Sequence, residues 1–466
     1  MFQTIISTIS SFMYSKLLVI LLIGAGVYFT VRTRFPQVRL FKNACGSVME
    51  KPDDKGAISS FQALMVSTAS RVGTGNIVGV SSAICIGGFG SVFWMWVIAI
   101  IGSASALIES TLAQIYKKKG KDGSCYGGPA YYIEAALHCR PLAIVFCVAM
   151  ILTYAFGFNM LASYNLQSTF SVFSFYEAKM SPWIIGGILA VLTGWCLLGG
   201  GSRIVKVTSM VVPVMGIAYI GISLLVVIIN IQNVPAMFVR IFEEAFDFKA
   251  IFGAFSGSAM MQGIRRGLYS NEAGIGSAPN ASASANVSHP VKQGLIQALS
   301  VFTDTIVICS CTAFIILLSD LPLDGTLKGI QLTQAAVGHE IGPFGAQFIA
   351  FCILLFAFSS IVGNYSYCET NLFFISRHPA GLQIYRIAVG GMVFFGSVAG
   401  LDIVWNLADL FMALMTLINL IALIFLGHLA LKALKNYNDQ KRRGIKSPVF
   451  KASDIPEIED QLSEWK

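Results

Sequence analysis

Long apolar stretches recur along the whole chain, with short polar segments between them. They cover residues 13–31, 58–88, 91–116, 142–170, 181–198, 204–230, 248–264, 294–319, 345–376, 384–399 and 404–433. A transmembrane helix needs about 20 apolar residues to cross about 30 Å of hydrocarbon, and these stretches have that length or come close to it. The pattern predicts an all-α polytopic membrane protein with eleven transmembrane helices.

The composition argues against an ordinary water-soluble globule. Of 466 residues, 55% are hydrophobic and 12% are charged, whereas a soluble domain carries about 25% charged residues. The net charge of +8 is spread over short runs between the apolar stretches, which is typical of membrane-protein loops. We therefore expect a lipid bilayer as the environment and no nucleic-acid partner.

Lys and Arg residues lie mostly on alternate loops, and this asymmetry predicts the orientation. It places residues 33–55, 118–140, 436–466 and the loop between 264 and 294 in the cytoplasm, and residues 320–343 outside. The N-terminus is then outside and residues 435–466 form a cytoplasmic tail, expected to be partly disordered. We expect a multi-pass protein of the cell membrane, meaning the inner membrane if the source is a Gram-negative bacterium.

The stretch 58–88 contains a segment that should interrupt its helix. Residues 70–77 read Ser-Arg-Val-Gly-Thr-Gly-Asn-Ile, and unwound backbone in a membrane is tolerated only inside protein or beside a cavity. The helix that begins near Asn76 would present free N–H groups to an anion, and the helix that ends near Ala69 and Val72 would present carbonyls to a cation. The alternative is a Gly-rich site of close helix packing.

A second Gly/Ser-rich interruption, at residues 253–258, includes Phe255, Ser256 and Gly257. Five stretches follow the N-terminal one up to residue 230, and five more run from 248 to 433, so the second set enters the membrane inverted. Paired broken helices in two inverted halves indicate a transporter site near the midplane. The predicted organisation is an N-terminal helix (1–32), a first repeat (57–230), a second repeat (248–434) and the tail.

Five ionisable residues lie inside apolar stretches: Arg71, Glu109, Asp304, Glu369 and Asp409. Each is costly in hydrocarbon unless it is paired, so we expect them to face the protein interior. Arg71 is the only cation of the five, and one carboxylate is expected to be its partner. For each residue, structural pairing and a direct role with an ion or substrate both stay open.

Ser359 and Ser360 are adjacent hydroxyls in an apolar stretch. Na⁺ prefers oxygen ligands, and two hydroxyls with freed backbone carbonyls could form a site for it. The alternative is that each hydroxyl bonds to a carbonyl one turn earlier in its own helix.

Several longer motifs resemble the alanine/glycine:cation symporters, also called sodium:alanine symporters. They are Gly87-Gly88-Phe89-Gly90-Ser91-Val92-Phe93-Trp94-Met95-Trp96-Val97, Gly73-Thr74-Gly75-Asn76-Ile77, residues 267–279 (Gly-Leu-Tyr-Ser-Asn-Glu-Ala-Gly-Ile-Gly-Ser-Ala-Pro), Thr303-Asp304-Thr305, Tyr126-Gly127-Gly128-Pro129, Leu332-Thr333-Gln334 and Trp405-Asn406-Leu407-Ala408-Asp409. The resemblance covers roughly residues 15–435. It implies a LeuT-like fold of five-plus-five inverted helices with one additional N-terminal helix.

The resemblance also implies roles for individual residues. Substrate would contact Thr74, Gly75, Asn76, Phe255, Ser256, Gly257 and Asn364, whereas Na⁺ would bind the carbonyls of Ala69 and Val72 and the hydroxyls of Ser359 and Ser360. Arg71, Asp304 and Glu272 would serve coupling or gating. Glu272 could form a latch with Arg265 or Arg266, or belong to a helix cap. Asn364 stands where the family often carries tryptophan, which leaves the substrate open.

The function implied is sodium-coupled import of a small neutral amino acid, alanine or glycine, by alternating access. The alternative within transport is a proton-coupled carrier of a related amino acid such as serine. An intramembrane enzyme is disfavoured because no zinc helix, nucleophile–base pairing or cofactor motif is present, and a channel because no filter sequence is visible. We expect no cofactor besides Na⁺ as coupling ion, and a monomer.

Overall fold

The computed structural model describes residues 9–10, 12–50, 52, 57–120, 123–247, 258–323 and 325–465. Within these residues, eight helices are long and apolar enough to cross a membrane, and residues 19–32 and 75–87 form shorter apolar helices. The prediction of an all-α polytopic membrane protein is confirmed. The count of eleven crossings stays a prediction.

The helices of the N-terminal part are α1 (Val19–Arg32), α2 (Pro36–Arg39), α3 (Phe41–Val48), α4 (Ser60–Arg71), α5 (Val80–Gly87), α6 (Gly90–Ile115), α7 (Pro129–Leu137), α8 (Arg140–Ile151), α9 (Asn159–Thr169), α10 (Ser181–Leu198), α11 (Gly200–Ile229) and α12 (Val234–Ala245). Between α6 and α7, strand β1 (Lys118–Lys119) pairs antiparallel with strand β2 (Cys125–Tyr126).

The helices of the C-terminal part are α13 (Ala259–Asn271), α14 (Ala278–Ser284), α15 (Pro290–Val301), α16 (Ser310–Leu318), α17 (Ile330–Ile341), α18 (Phe344–Ile375), α19 (Pro379–Val398) and α20 (Leu401–Arg442). Segments Met13–Leu18, Gly75–Gly79, Leu152–Phe158 and Phe302–Cys309 are π-helical, and Phe170–Val172, Ala452–Asp454 and Pro456–Gln461 are 3₁₀ turns.

The first interruption lies where the sequence predicted it. Helix α4 begins with a capping box, in which the Ser59 hydroxyl and the Gln62 amide each accept a backbone N–H of the other residue. The helix ends at Arg71, because Val72 leaves the helical conformation with ψ of 83°. The chain resumes at Gly75 as a π-helical turn that leads into α5.

The interruption predicted at residues 253–258 stays a prediction, because residues 253–257 lie outside the described residues. Within the described part of the C-terminal half, α13 and α14 are separated by residues 272–277, and we call this break the second interruption. Glu272 follows the last residue of α13 and adopts the left-handed conformation. Gly274 and Gly276 have φ of +79° and +92°, and a residue with a side chain would be strained at these angles. The predicted end of this helix at residue 264 is wrong, since α13 continues to Asn271 and packs on α5 and α6.

The helices form two groups, and α4 lies between them. Helix α6 packs on α13 and α15, whereas α19 packs on α9 and α10. Helix α4 contacts α18 and α11, and therefore lies where the two groups meet. This arrangement brings both interruptions into the centre of the molecule.

The C-terminal segment is folded, which corrects the expectation of partial disorder for residues up to 465. The backbone N–H of Phe450 donates to Ser288 O at 2.9 Å, and the Trp465 indole donates to Gln114 O at 3.0 Å. The two rings meet edge to face at 5.4 Å, and both are buried. The segment therefore covers the ends of α6 and α15 on the side predicted to be cytoplasmic.

Candidate functional site

Glu272 joins the two interruptions. Its carboxylate accepts hydrogen bonds from Ser70 at 3.0 Å and from Ser277 at 2.7 Å. The Ser70 hydroxyl also lies 2.7 Å from the amide oxygen of Asn364, and its single proton can serve only one of these two acceptors at a time. Asn364 in turn donates to Asn159 at 2.9 Å. A buried polar network thus connects α4, α9, α13 and α18.

A small cavity lies beside this network. Its lining residues come from both interruptions and from α18, namely Ser70, Arg71, Thr74, Gly75, Phe158, Tyr269, Glu272, Ser360 and Asn364. Six of these, Arg71, Thr74, Gly75, Glu272, Ser360 and Asn364, were predicted from the sequence. The free volume is about 10 Å³, which is room for about one water molecule. A larger ligand therefore requires a wall of the cavity to move.

The ring of Tyr269 closes the cavity over Gly75. A β-carbon at position 75 would lie 2.8 Å from Cε1 of Tyr269, too close for an unshifted contact. Neither Gly73 nor Gly75 has a positive φ, so Gly75 is needed for close approach and not for an unusual backbone angle. The Tyr269 ring also meets Phe158 at 4.8 Å and Trp405 at 5.2 Å.

Beyond this aromatic layer, Arg266 forms an ion pair with Asp409. The Nη1 and Nη2 atoms of Arg266 lie 3.2 and 3.4 Å from the two carboxylate oxygens of Asp409. The Cζ atom of Arg266 lies 4.1 Å from the centre of the Trp405 ring. Arg266 and Trp405 also line a wide vestibule of about 770 Å³ on the side predicted to be outside. The expected latch between Arg266 and Glu272 is therefore wrong, because Arg266 pairs with Asp409 instead.

The side chain of Asn76 turns away from the cavity. Its oxygen accepts the backbone N–H of Gly73 at 2.9 Å, and its amide donates to Asp304 at 2.7 Å. Ser270 and Thr305 also donate to Asp304, at 2.8 and 3.0 Å. Asn76 thus fastens the first interruption to the π-helical segment Phe302–Cys309, and it does not line the cavity in which it was expected to bind substrate.

Arg71 has an amide and not a carboxylate as its partner among the described residues. It donates to Gln297 at 2.9 Å, and Gln297 donates to Ser67 at 3.1 Å. Its Nε and Nη2 atoms are buried without a hydrogen-bond acceptor in the described part. Three carboxylates, those of Glu109, Glu272 and Asp304, lie within electrostatic range of its charge. The predicted direct pairing is wrong because α15 brings Gln297 closer.

The two predicted sodium-binding serines occupy different environments. Ser360 lies against the first interruption, where a β-carbon at Gly73 would overlap its hydroxyl, and this buried hydroxyl has no hydrogen-bond partner among the described residues. Ser359 instead donates to Phe356 O at 3.1 Å, in its own helix. Ala69 and Val72 are buried at the end of α4. Of the two hydroxyls, that of Ser360 is the one available to a cation.

Some site residues were not predicted. Phe158 and Tyr269 close the cavity, yet aromatic residues in apolar helices give no signal that separates them from core residues. Glu109 was noted only as an intramembrane carboxylate. It accepts from Gly274 N at 3.2 Å and from Asn419 at 2.9 Å, and so holds the second interruption in place. Phe255, Ser256 and Gly257 lie outside the described residues.

The fold is similar to that of a protein whose structure has been solved. The crystal structure of MhsT in complex with L-phenylalanine superposes with a TM-score of 0.57, covering 89% of this chain and 93% of that one at 13% identity. At this identity the likeness concerns the fold alone, and it confirms the expected LeuT-like architecture.

Sequence relatives extend over nearly the whole chain. The amino-acid carrier protein AlsT of Bacillus subtilis is 47% identical, with 98% of this chain and 97% of AlsT covered. The probable sodium/glutamine symporter GlnT of the same organism is 46% identical, with 96% and 93% covered. The sodium:alanine symporter family matches residues 1–452. The chain therefore belongs to the sodium:alanine symporter family, whose members are transporters and not enzymes.

Proposed function

We propose that this sodium-coupled amino-acid transporter imports a small neutral amino acid, alanine or glycine, by alternating access. The observation that carries the proposal is the small cavity between the two interruptions, closed by Tyr269 over Gly75. It joins backbone that can bind a carboxylate, a buried carboxylate that can bind an ammonium group, and two aromatic rings that limit side-chain size.

The substrate carboxylate is assigned to the N-terminal end of the π-helical turn at Thr74 and Gly75. Unpaired N–H groups and the positive end of the helix dipole favour an anion there. The ammonium group is assigned to Glu272 and to the oxygens of Ser70 and Asn364, which lie on the same cavity. The side chain then points at Phe158 and Tyr269. Alanine requires less displacement of these rings than leucine does.

Sodium is assigned to Ser360 and to the carbonyls of Ala69 and Val72, with Ser359 joining after its hydroxyl leaves Phe356 O. Hard oxygen ligands suit this cation. Ser360 also lines the substrate cavity. Sodium bound here would therefore stabilise the backbone of the first interruption, against which the substrate binds. This proximity is the proposed basis of coupling.

Alternating access requires that the site be closed from one side at a time. Tyr269, Trp405 and the Arg266–Asp409 pair separate the cavity from the vestibule. On the opposite side, Asn286 N donates to Ile58 O at 3.0 Å, and Gln293 donates to Ser60 at 3.0 Å. These bonds hold the beginning of α4. Release toward the cytoplasm would require α4 to move away from residues 286–293.

A second candidate is proton coupling, and one observation favours it. Asp304 is fully buried, accepts three side-chain hydrogen bonds, and has no cation within 4 Å in the described part of the chain. A buried carboxylate without a cation in direct contact is costly when ionised. Protonation of Asp304 could therefore accompany transport of alanine or of a related amino acid such as serine.

Uptake of radiolabelled alanine into proteoliposomes tests both candidates. We expect accumulation with an inward Na⁺ gradient and little with K⁺ in its place, at equal pH on both sides. Accumulation driven by an inward proton gradient without Na⁺ would favour the second candidate. Equilibration without accumulation under either gradient would contradict coupled transport. Asp304→Asn should preserve Na⁺-driven uptake if protons are not coupled.

A further inference from the structure

A basic cavity of about 360 Å³ lies between the end of α1 and the end of α20, away from the substrate site. Arg32, Arg34, Arg39, Lys435 and Arg442 line it. The acidic residue that lines it is Asp439, which lies 3.8 Å from Arg442. Five cations thus surround one carboxylate, and the cavity carries an excess of positive charge.

The other cations lack ionic partners in the described part of the chain. Arg39 donates to the backbone oxygens of Thr33 and Arg34, at 3.2 and 3.4 Å, and neither oxygen carries a charge. Burial, followed by the charges of Arg34 and Arg442, lowers the pKa of Arg39. An anion in the cavity would relieve this repulsion.

The backbone presents these side chains at an energetic cost. Two residues after α1 ends, the chain has two consecutive non-glycine residues of positive φ, Arg34 at 57° and Phe35 at 52°. Left-handed residues other than glycine are strained, and such strain tends to cluster at binding sites. The turn directs the chain into α2, which returns Arg39 to the same cavity.

The two helices that form the cavity also carry apolar side chains near it. Leu431 and Leu434 form part of its lining. Tyr28 and Val31 of α1 and Ile424 and Phe425 of α20, which precede the cavity residues of each helix in sequence, are exposed. A headgroup in the cavity would therefore have its acyl chains beside these residues, whereas a free ion would use only the cationic part.

We propose that this cavity binds the phosphate of an anionic phospholipid at the cytoplasmic surface of the membrane. Basic pockets between transmembrane helices on this side suit such headgroups. The phosphate could in principle come from a free anion, but the apolar side chains near the cavity favour a lipid. A lipid bound here would tie α1 to α20.

The test is lipid binding by the full-length protein in neutral detergent, measured by native mass spectrometry. The lipids are phosphatidylglycerol and phosphatidylcholine, with inorganic phosphate as competitor. We expect phosphatidylglycerol to bind at least about tenfold more tightly than phosphatidylcholine, and millimolar phosphate to leave this preference unchanged. Equal binding of both lipids, or displacement of phosphatidylglycerol by phosphate, would overturn the lipid assignment.

Variants locate the site. Arg34→Gln/Arg39→Gln/Arg442→Gln should abolish the preference for phosphatidylglycerol. The matched control is Lys118→Gln/Lys206→Gln/Arg443→Gln, which removes the same charge at exposed positions outside the cavity and should keep the preference. Because Arg39 also holds the turn, Arg34→Gln/Arg442→Gln is the second variant, expected to weaken binding by about tenfold. An equal loss in the control would mean that bulk charge alone is responsible.

Discussion

The ring of Tyr269 packs against Gly75, so a β-carbon at position 75 would lie 2.8 Å from Cε1 of that ring. This contact closes the proposed substrate cavity, and it makes the size of residue 75 decisive. Tyr269 also touches Phe158 and Trp405, so a displacement of its ring would disturb the whole aromatic layer.

Gly75→Ala should reduce alanine binding at least about tenfold while leaving the protein folded in the membrane, because the methyl group takes the space between the interruption and Tyr269. Binding is measured by displacement of labelled alanine from purified protein. Gly216→Ala is the matched control, since its β-carbon would have no atom of the described residues within 4 Å. Full-affinity binding in Gly75→Ala would place the substrate site elsewhere.

Ser360→Ala should raise the half-saturating Na⁺ concentration more than Ser359→Ala does. Beside the interruption, the Ser360 hydroxyl has no hydrogen-bond partner among the described residues, whereas that of Ser359 already bonds to Phe356 O. Loss of one ligand hydroxyl costs about 1–2 kcal/mol, or roughly tenfold in Na⁺ affinity. The measurement is alanine uptake as a function of Na⁺. The sodium assignment would fail if neither variant, nor the double variant, changed this dependence.

Arg266→Gln should destabilise the protein by about 3 kcal/mol, because Arg265, at 3.9 Å, is then the one cation left beside buried Asp409 in the described part of the chain. Thermal unfolding in detergent measures this loss. The control is Arg240→Gln, which breaks an ion pair with Glu244 whose arginine side chain is 57% exposed and should cost less than about 1 kcal/mol. Equal effects of the two variants would show that the Arg266–Asp409 pair has no special role.

Docking of the C-terminal segment should weaken as the pH falls below about 6.5. Burial lowers the pKa of His289 from 6.5 to about 3, and this ring contacts Asn436, Tyr437 and Phe450. Between pH 3 and pH 6.5, His289 binds a proton when the segment is undocked but not when it is docked. The free energy that favours docking is therefore at its full value above pH 6.5 and declines as the pH falls toward 3.

Protease protection of the C-terminal segment between pH 7 and pH 4 measures this effect. His289→Asn should reduce its pH dependence, whereas His138→Asn, at an exposed histidine, should retain it. Unchanged pH dependence in His289→Asn would assign the effect to another group.

The helical membrane architecture and the first interruption could be predicted from the amino-acid sequence alone. A run of Gly, Thr, Gly and Asn inside an apolar stretch predicts a helix break that is buried in protein. The reason is that backbone N–H and C=O groups without hydrogen bonds are not tolerated in contact with hydrocarbon. The sequence also indicated most of the cavity residues, since Thr74, Gly75, Glu272, Ser360 and Asn364 lie together. Motif resemblance contributed to that list, and residue chemistry alone had left the roles of these residues open.

The partners that these residues meet depend on how the helices pack together. Residues 253–258 and 272–277 are both rich in small residues, and the break at 272–277 between α13 and α14 is one that the sequence pattern did not single out. Arg71 meets Gln297, and Asn76 meets Asp304, because α15 and its π-helical continuation lie beside the first interruption. Such pairings join residues more than 200 positions apart. Local pattern reports the period and the breaks of a helix, but not which face of another helix will lie against it.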